Sequence, residues 1–519
     1  MSRQITLATV LVAVTTVVAG CVPGLAADPR FATNSGARPQ GATTAKPPPK
    51  GPPPLAAPKN DLPWHDCTSK VFGDAAVPPA AGVQLDCANY DADLDPNGGG
   101  TGNVSVGVVR ARSNQTPRDA GPLVFTTGSD LPSSAQLPVW LSRGGADVLQ
   151  THPIVAVDRR GMGMSNPIDC RDTSDRQIMR DQAQFQTGDD PVANLSDVAN
   201  TATTNCTDAI APGASAYDNA HAASDIERLR TLWDVPAVAL VGIGNGAQVA
   251  LAYAAARPDK VARLILDSPV ALGVSAEAGA EQQVKGQQAA LDAFAAQCLA
   301  VNCALGPDPK GAVSGLLADA RAGKGPGGAS VAQLADAITV ALGFPADGRV
   351  NATTNLANAL AAARSGDTNQ LTNLINHADA TRDTDGQFVN TCSDAVNRPT
   401  PDRVRELVVA WAKLYPQFGT VAALNLVKCV HWPTGSPPAP PKSLKVDVLL
   451  LGVQNDPIVG TEGVAATAAT IINANAASKR VMWQGIGHGA SIYSNCAVAP
   501  LIGYLNSGKL PGTDTYCPA

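Results

Sequence analysis

The turn Gly242-Ile243-Gly244-Asn245-Gly246-Ala247 admits two chemistries, because an apolar run enters it and an alanine-rich, helix-like run leaves it. In the order G-x-G-x-x-A it is a dinucleotide fingerprint, with Asp267, about twenty residues on, in the place of a ribose-binding acid. In the order G-x-S-x-G it is a sharp turn that exposes a nucleophile, with Gly244 standing where serine belongs. Further on lie an acid, Asp456 in QNDPIVG, and a histidine, His488 in GIGHGAS. Taken singly they read as a turn-capping carboxylate and a loop histidine. Taken together, after separate strand-like runs and in the order turn, acid, base, they read as a pair that holds and moves a proton.

The elements that must position these residues show in the hydrophobic patterning. The runs 104-VSVGVVRA-111, 122-PLVFTT-127, 153-PIVAVD-158, 237-AVALVG-242, 261-VARLILD-267, 446-VDVLLLG-452 and 480-RVMWQG-485 are short, apolar and rich in β-branched residues. That is the pattern of strands buried in a parallel sheet. Helix-like stretches such as 219-NAHAASDIERLRTLW-233 alternate with them, so the fold class is α/β, a doubly wound and mostly parallel sheet. Between residues 273 and 430 the strand signal fades and helical runs take over, which is read as an inserted helical lid. Its glycine-rich break GKGPGGAS lacks the order of a phosphate loop. The core is then divided into 61–272 and 431–519.

The chain of 519 residues is 45% hydrophobic and 16% charged, with a net charge of −6 and 4% aromatics. It has no basic run, which argues against a nucleic-acid partner. Residues 1–20 carry Arg3 and the apolar run ITLATVLVAVTTVV, the form of a signal peptide. The run ends in VAGC, similar to a bacterial lipobox, which makes Cys21 the expected lipid-modified residue. Residues 21–60 are rich in Pro, Gly, Ala, Ser and Thr, and are expected to form a disordered tether. The expected location is extracytoplasmic, lipid-anchored to the cell membrane or envelope. The other ten cysteines suit an oxidising compartment. They fall as close pairs, so sequential bridges are expected: Cys67–Cys87, Cys170–Cys206, Cys298–Cys303, Cys392–Cys429 and Cys496–Cys517. His65, His152, His221, His377 and His431 show no metal-ligand spacing, and no metal or cofactor is expected.

The segments DRRGMGMSNPIDC at 158–170, QNDPIVG, GIGHGAS, 391-TCSDAVNRP-399, 429-CVHWP-433 and 503-GYLNSGKLPGTDTYC-517 carry a family resemblance. From about residue 60 to the end the chain resembles secreted, tripeptidyl-aminopeptidase-like serine peptidases of the α/β-hydrolase fold. The resemblance implies a triad with Asp456 as acid, His488 as base and position 244 as nucleophile, under a helical lid. It also implies oxyanion donors at the backbone N–H of Asn245 and, from the loop after an early strand, at Thr127. Two departures stand out: the nucleophile position is Gly244, and the loop FTTGSDLPSS at 125–134 has lost most of the family's glycines.

Glycine cannot form an acyl-enzyme. The expectation is therefore a catalytically impaired lipoprotein that binds a peptide or small ester-like ligand in the lid-covered cleft. One alternative is an active secreted hydrolase, in which His488 and Asp456 activate water or Ser129, Ser133 or Ser134 reaches in from the altered loop. The other is a dinucleotide-binding protein. Ser165 is read as structural, and Trp432 as packing near the Cys429 bridge.

Overall fold

The computed structural model describes residues 53–96, 101–182, 189–345, 349–435 and 437–519. The expected signal segment, Cys21 and most of the expected tether lie outside the described residues.

Among these residues ten strands form one sheet: β1 His65–Asp66, β2 Val83–Asp93, β3 Asn103–Ser113, β4 Leu123–Thr126, β5 Ile154–Val157, β6 Val238–Ile243, β7 Val261–Asp267, β8 Val448–Asn455, β9 Ser478–Ile486 and β10 Thr515–Cys517. The strand order is β1-β2-β3-β5-β4-β6-β7-β8-β9-β10. The pairs β1–β2, β2–β3 and β3–β5 are antiparallel, and every pairing from β5 to β10 is parallel. Strands β4 to β7 are buried along their whole length, because helices cover both faces. Phe125 packs with Trp140, Leu449 and Trp483 on one face. Its neighbour Val124 packs with Leu240, Trp233 and Tyr253 on the other.

The seven strand-like runs of the sequence are β3 to β9. Strand β2 was not among them, because its sequence VQLDCANYDAD interleaves Asp and Asn with the apolar residues. Register with β3 resolves the matter: Asp86 faces Arg110 across the ladder and pairs with Arg110 at 3.0 Å and Arg112 at 2.6 Å. A buried acid in mid-strand is thus neutralised by its sheet neighbours.

Between β7 and β8 the described chain is helical, with helices at Ala276–Ala300, Pro309–Arg321, Val331–Gly343, Arg349–Arg364, Asn369–Arg382, Asp385–Asp394, Pro401–Leu414 and Gly419–Asn425. These helices share a core that includes Phe294, Ile338, Trp411 and Phe418. That core also takes in Leu131, Ile458, Val459 and Ile486 from loops at the carboxyl ends of the strands. The lid is therefore packed onto the loops that follow β4, β8 and β9. The five sequential disulfides are all present. No helix of the described residues is long and apolar enough to cross a membrane.

Candidate active site

Thr127, Gly244, Asp267, Asp456 and His488 lie at or just beyond the carboxyl ends of β4, β6, β7, β8 and β9, the edge where open α/β sheets place their sites. Gly244 caps the helix Asn245–Ala256 with φ +57° and ψ −119°, a conformation that costs a residue with a Cβ. Its N–H donates to the carbonyl of Asp267 at 2.9 Å, and its carbonyl accepts from Ala247 at 3.1 Å. The turn is as tight as the spacing implies: a Cβ at Gly246 would strike the backbone of Thr126.

Asp456 is fully buried, and its Oδ1 accepts the N–H groups of Ile458 at 2.9 Å and Val459 at 3.2 Å. His488, 3% exposed, places Nδ1 2.9 Å from Oδ2 of Asp456. Its ring stands edge-on to Phe344 at 5.5 Å, and its N–H donates to the carbonyl of Gly343 at 2.8 Å. The lid helix that ends at Gly343 thus helps to orient the imidazole. The acid and base positions read from the sequence are brought together.

The surprise is Asp130. Its carboxylate oxygen Oδ2 lies 3.5 Å from Nε2 of His488, an ion-pair separation. The same oxygen accepts the N–H of Asn245 at 2.6 Å. A Cβ built on Gly244 would overlap that oxygen and stand 2.5 Å from Nε2 of His488. Asp130 therefore fills the space a side chain at position 244 would take and engages the Asn245 N–H, the group the resemblance assigns to an oxyanion. The loop holds it firmly. The Asp130 N–H donates to the carbonyl of Thr127 at 3.2 Å, and its own carbonyl accepts from Nε2 of Gln387, on the lid helix Asp385–Asp394, at 2.8 Å.

Other expectations for this loop are corrected. The Thr127 N–H, assigned to the oxyanion, is directed to Oγ of Ser133 at 3.1 Å. Ser133 thereby serves the loop, and Ser134 donates to Asp158 at 2.6 Å. Ser129 donates its backbone N–H to Oδ1 of Asn245 at 3.1 Å. The loop delivers an acid to the histidine, not one of its serines. The lost glycines of FTTGSDLPSS were the visible signal; its one ionisable side chain was the residue to weigh.

The dinucleotide reading is also corrected. Asp267 is fully buried and anchors the histidine loop, accepting from the backbone N–H groups of Ala490 at 2.8 Å and Ser491 at 2.7 Å and from Oγ of Ser491 at 2.6 Å. Burial raises its pKa despite these donors. It has no face left for a ribose.

The turn DRRGMGMS supports the elbow from beside it. Arg159, buried, donates to Oδ1 of Asn245 at 2.9 Å and to Asp394 of the lid at 2.6 Å. Asp158 accepts from the N–H groups of Ser134 and Met164. The Ser165 hydroxyl accepts the Gly107 N–H and donates to the Asp158 carbonyl, each at 2.8 Å, the structural role expected of it. Trp432 donates to Ser393 at 3.0 Å and packs with Phe388, Cys392 and Cys429.

The electrostatics follow from two carboxylates flanking one ring. Burial alone would push the His488 imidazole down. The charge of Asp456, with the Asp130 carboxylate on the other side, outweighs it and holds the ring up to about 10. Two acids beside one ring favour its protonated form.

A family model described as "alpha/beta hydrolase fold" matches residues 136–310, and one described as "TAP-like protein" matches residues 415–517. This chain has the α/β-hydrolase fold. Its strand order agrees with that match. The serine protease Hip1 of Mycobacterium tuberculosis and that of Mycobacterium bovis are each 26% identical over 277 residues. The match covers 50% of this chain and 50% of the relative, so the chain spans about half the length of the curated relatives it matches. Among solved structures, a thermophilic esterase from Thermogutta terrifontis is 16% identical with a TM-score of 0.37, covering 81% of this chain and 98% of that one. The 2-hydroxy-6-oxo-6-phenylhexa-2,4-dienoate hydrolase of a Rhodococcus is 11% identical with a TM-score of 0.37, covering 81% and 99%.

Proposed function

We propose that this serine-peptidase-like α/β-hydrolase is catalytically impaired and acts by binding, as a lipoprotein held outside the cytoplasm through Cys21. The observation that carries the reading is the position of Asp130. A serine-type hydrolase needs a hydroxyl at the elbow, a neutral imidazole to take its proton and a vacant N–H for the oxyanion. Here the hydroxyl is absent at Gly244. The imidazole of His488 lies between two acids, which hold its pKa up and disfavour the free base. The Asn245 N–H is engaged by Asp130. Each of the three supports impairment by a separate route. Peptide or small ester-like ligands under the lid remain the expected class, by resemblance to the serine peptidase relatives.

The test is a fluorophosphonate probe together with aminopeptidase, ester and lipid substrates, applied to the wild-type chain and to His488→Ala. The expected result is no labelling and no turnover that depends on His488. Wild-type turnover abolished by His488→Ala would overturn the reading and favour activation of water by His488 and Asp456. Globomycin-sensitive processing at Cys21, or its absence, decides the anchor.

A further inference from the structure

Within the lid region lies a cavity of about 210 Å³ whose lining includes Gln287, Asp336, Arg382, Phe418 and Lys428. It is too small for the drug-sized ligands that fill pockets of about 300–1,000 Å³. Phe418 and Thr339 on its wall are buried, and Gln287, 9% exposed, donates to Oγ1 of Thr339 at 3.1 Å. This part of the wall is packed.

The charges on the wall are not balanced within it. Arg171 and Asp383 pair with each other at 3.0 Å. Asp336 and Lys428 make no ion pair or hydrogen bond among the described residues, and Nη1 of Arg382 is buried without a partner. Burial raises the Asp336 carboxyl above its ordinary range, with Lys428 and Arg382 pulling the other way. Two cations and one acid thus face one small space without close partners. All three side chains are half-buried on the cavity wall, open to a ligand that brings the opposite charges.

We propose that this lid cavity binds a small molecule carrying two anionic groups and one cationic group, of the amino-dicarboxylate type. The two anionic groups meet Arg382 and Lys428, and the ammonium meets Asp336. A ligand of that charge pattern neutralises each exposed charge once. The site is distinct from the elbow, and the proposal stands whether or not the elbow is active. One side chain joins the two: Gln387 lines the cavity and donates to the carbonyl of Asp130.

The test is isothermal titration of the full chain with L-glutamate, glutarate and L-glutamine. Glutarate lacks the ammonium, and glutamine lacks one anionic group. The expected result is saturable binding of glutamate, with each analogue at least about tenfold weaker, a difference of about 1.4 kcal/mol. Lys428→Met brings glutamate down to the level of glutamine. Asp336→Asn removes the preference for glutamate over glutarate while binding persists, a switch in selectivity that misfolding would not produce. No saturable heat up to about 10 mM glutamate, equal binding of all three probes, or an unchanged preference in Asp336→Asn overturns the proposal.

Discussion

Oδ2 of Asp130 accepts the backbone N–H of Asn245 at 2.6 Å. In a working serine hydrolase that N–H waits for charge to develop on the substrate. Here the Asp130 carboxylate takes that place. A charge-assisted hydrogen bond of this kind contributes about 1.5–3 kcal/mol, so an incoming carbonyl would have to displace a better acceptor than itself. The substitution at Gly244 and the acid at Asp130 belong together, because glycine is the residue that leaves room for the carboxylate.

Restoring the serine alone is therefore expected to fail. Gly244→Ser places a Cβ at positive φ and against Asp130 and His488. A cost of about 1–3 kcal/mol is expected from the strained backbone alone. The double change Gly244→Ser with Asp130→Gly removes the clash and frees the Asn245 N–H. Fluorophosphonate labelling is expected in the double variant and not in the single one. Strong labelling of Gly244→Ser with Asp130 in place would contradict the assignment of Asp130 as the occupant of the elbow.

The His488 imidazole, held up to about 10, makes stability depend on alkaline pH. Its folded pKa is raised above the ordinary value of about 6.5. Its contribution is thus fully present below that value and is lost as pH rises through 10. Urea midpoints of the wild type and His488→Gln, compared between about pH 6 and pH 10.5, are expected to converge at the alkaline end. A gap that stays constant over that window would show that the ring is not charged in the folded state.

Asp267 is a structural anchor. Asp267→Ala leaves the N–H groups of Ala490 and Ser491 and the hydroxyl of Ser491 without their acceptor in a buried site. A loss of about 3–5 kcal/mol is expected, read as a lower midpoint in denaturant. NAD or FAD added to the wild type is expected to leave the melting temperature unchanged. A melting temperature raised by either cofactor would revive the dinucleotide reading.

The Cys392–Cys429 bridge closes a separation of 37 residues and ties the helix that carries Gln387 to the segment that carries Lys428. Replacing both cysteines by serine is expected to cost about 2–5 kcal/mol, measured by thermal unfolding of the non-reduced chain. If the unfolding midpoint does not move, the lid is held by its apolar core alone.

Much of this protein is written locally. The seven apolar runs became β3 to β9 because strands covered on both faces need continuous hydrophobic sequence. Asp456 and His488 were legible because each follows such a run directly, at the edge where the sheet ends. Strand β2 was not legible, since Asp86 reads as polar until Arg110 and Arg112 are seen beside it. The serines at 129, 133 and 134 misled because a hydroxyl near a glycine turn has the right chemistry, whereas its direction depends on a loop conformation that no periodicity encodes.

The sequence by itself determined the parallel core of the sheet, the helical insertion, the sequential pairing of the cysteines and the absence of a hydroxyl at position 244. Each of these depends on residue type or short-range pattern. What fills that place was decided only by the tertiary structure. Asp130 lies 114 residues before Gly244 and 358 before His488, counting along the chain. The three meet because β4, β6 and β9 end at one edge of the sheet and because Gln387 of the lid holds the Asp130 loop against it. Long-range packing turned an apparent vacancy into a carboxylate.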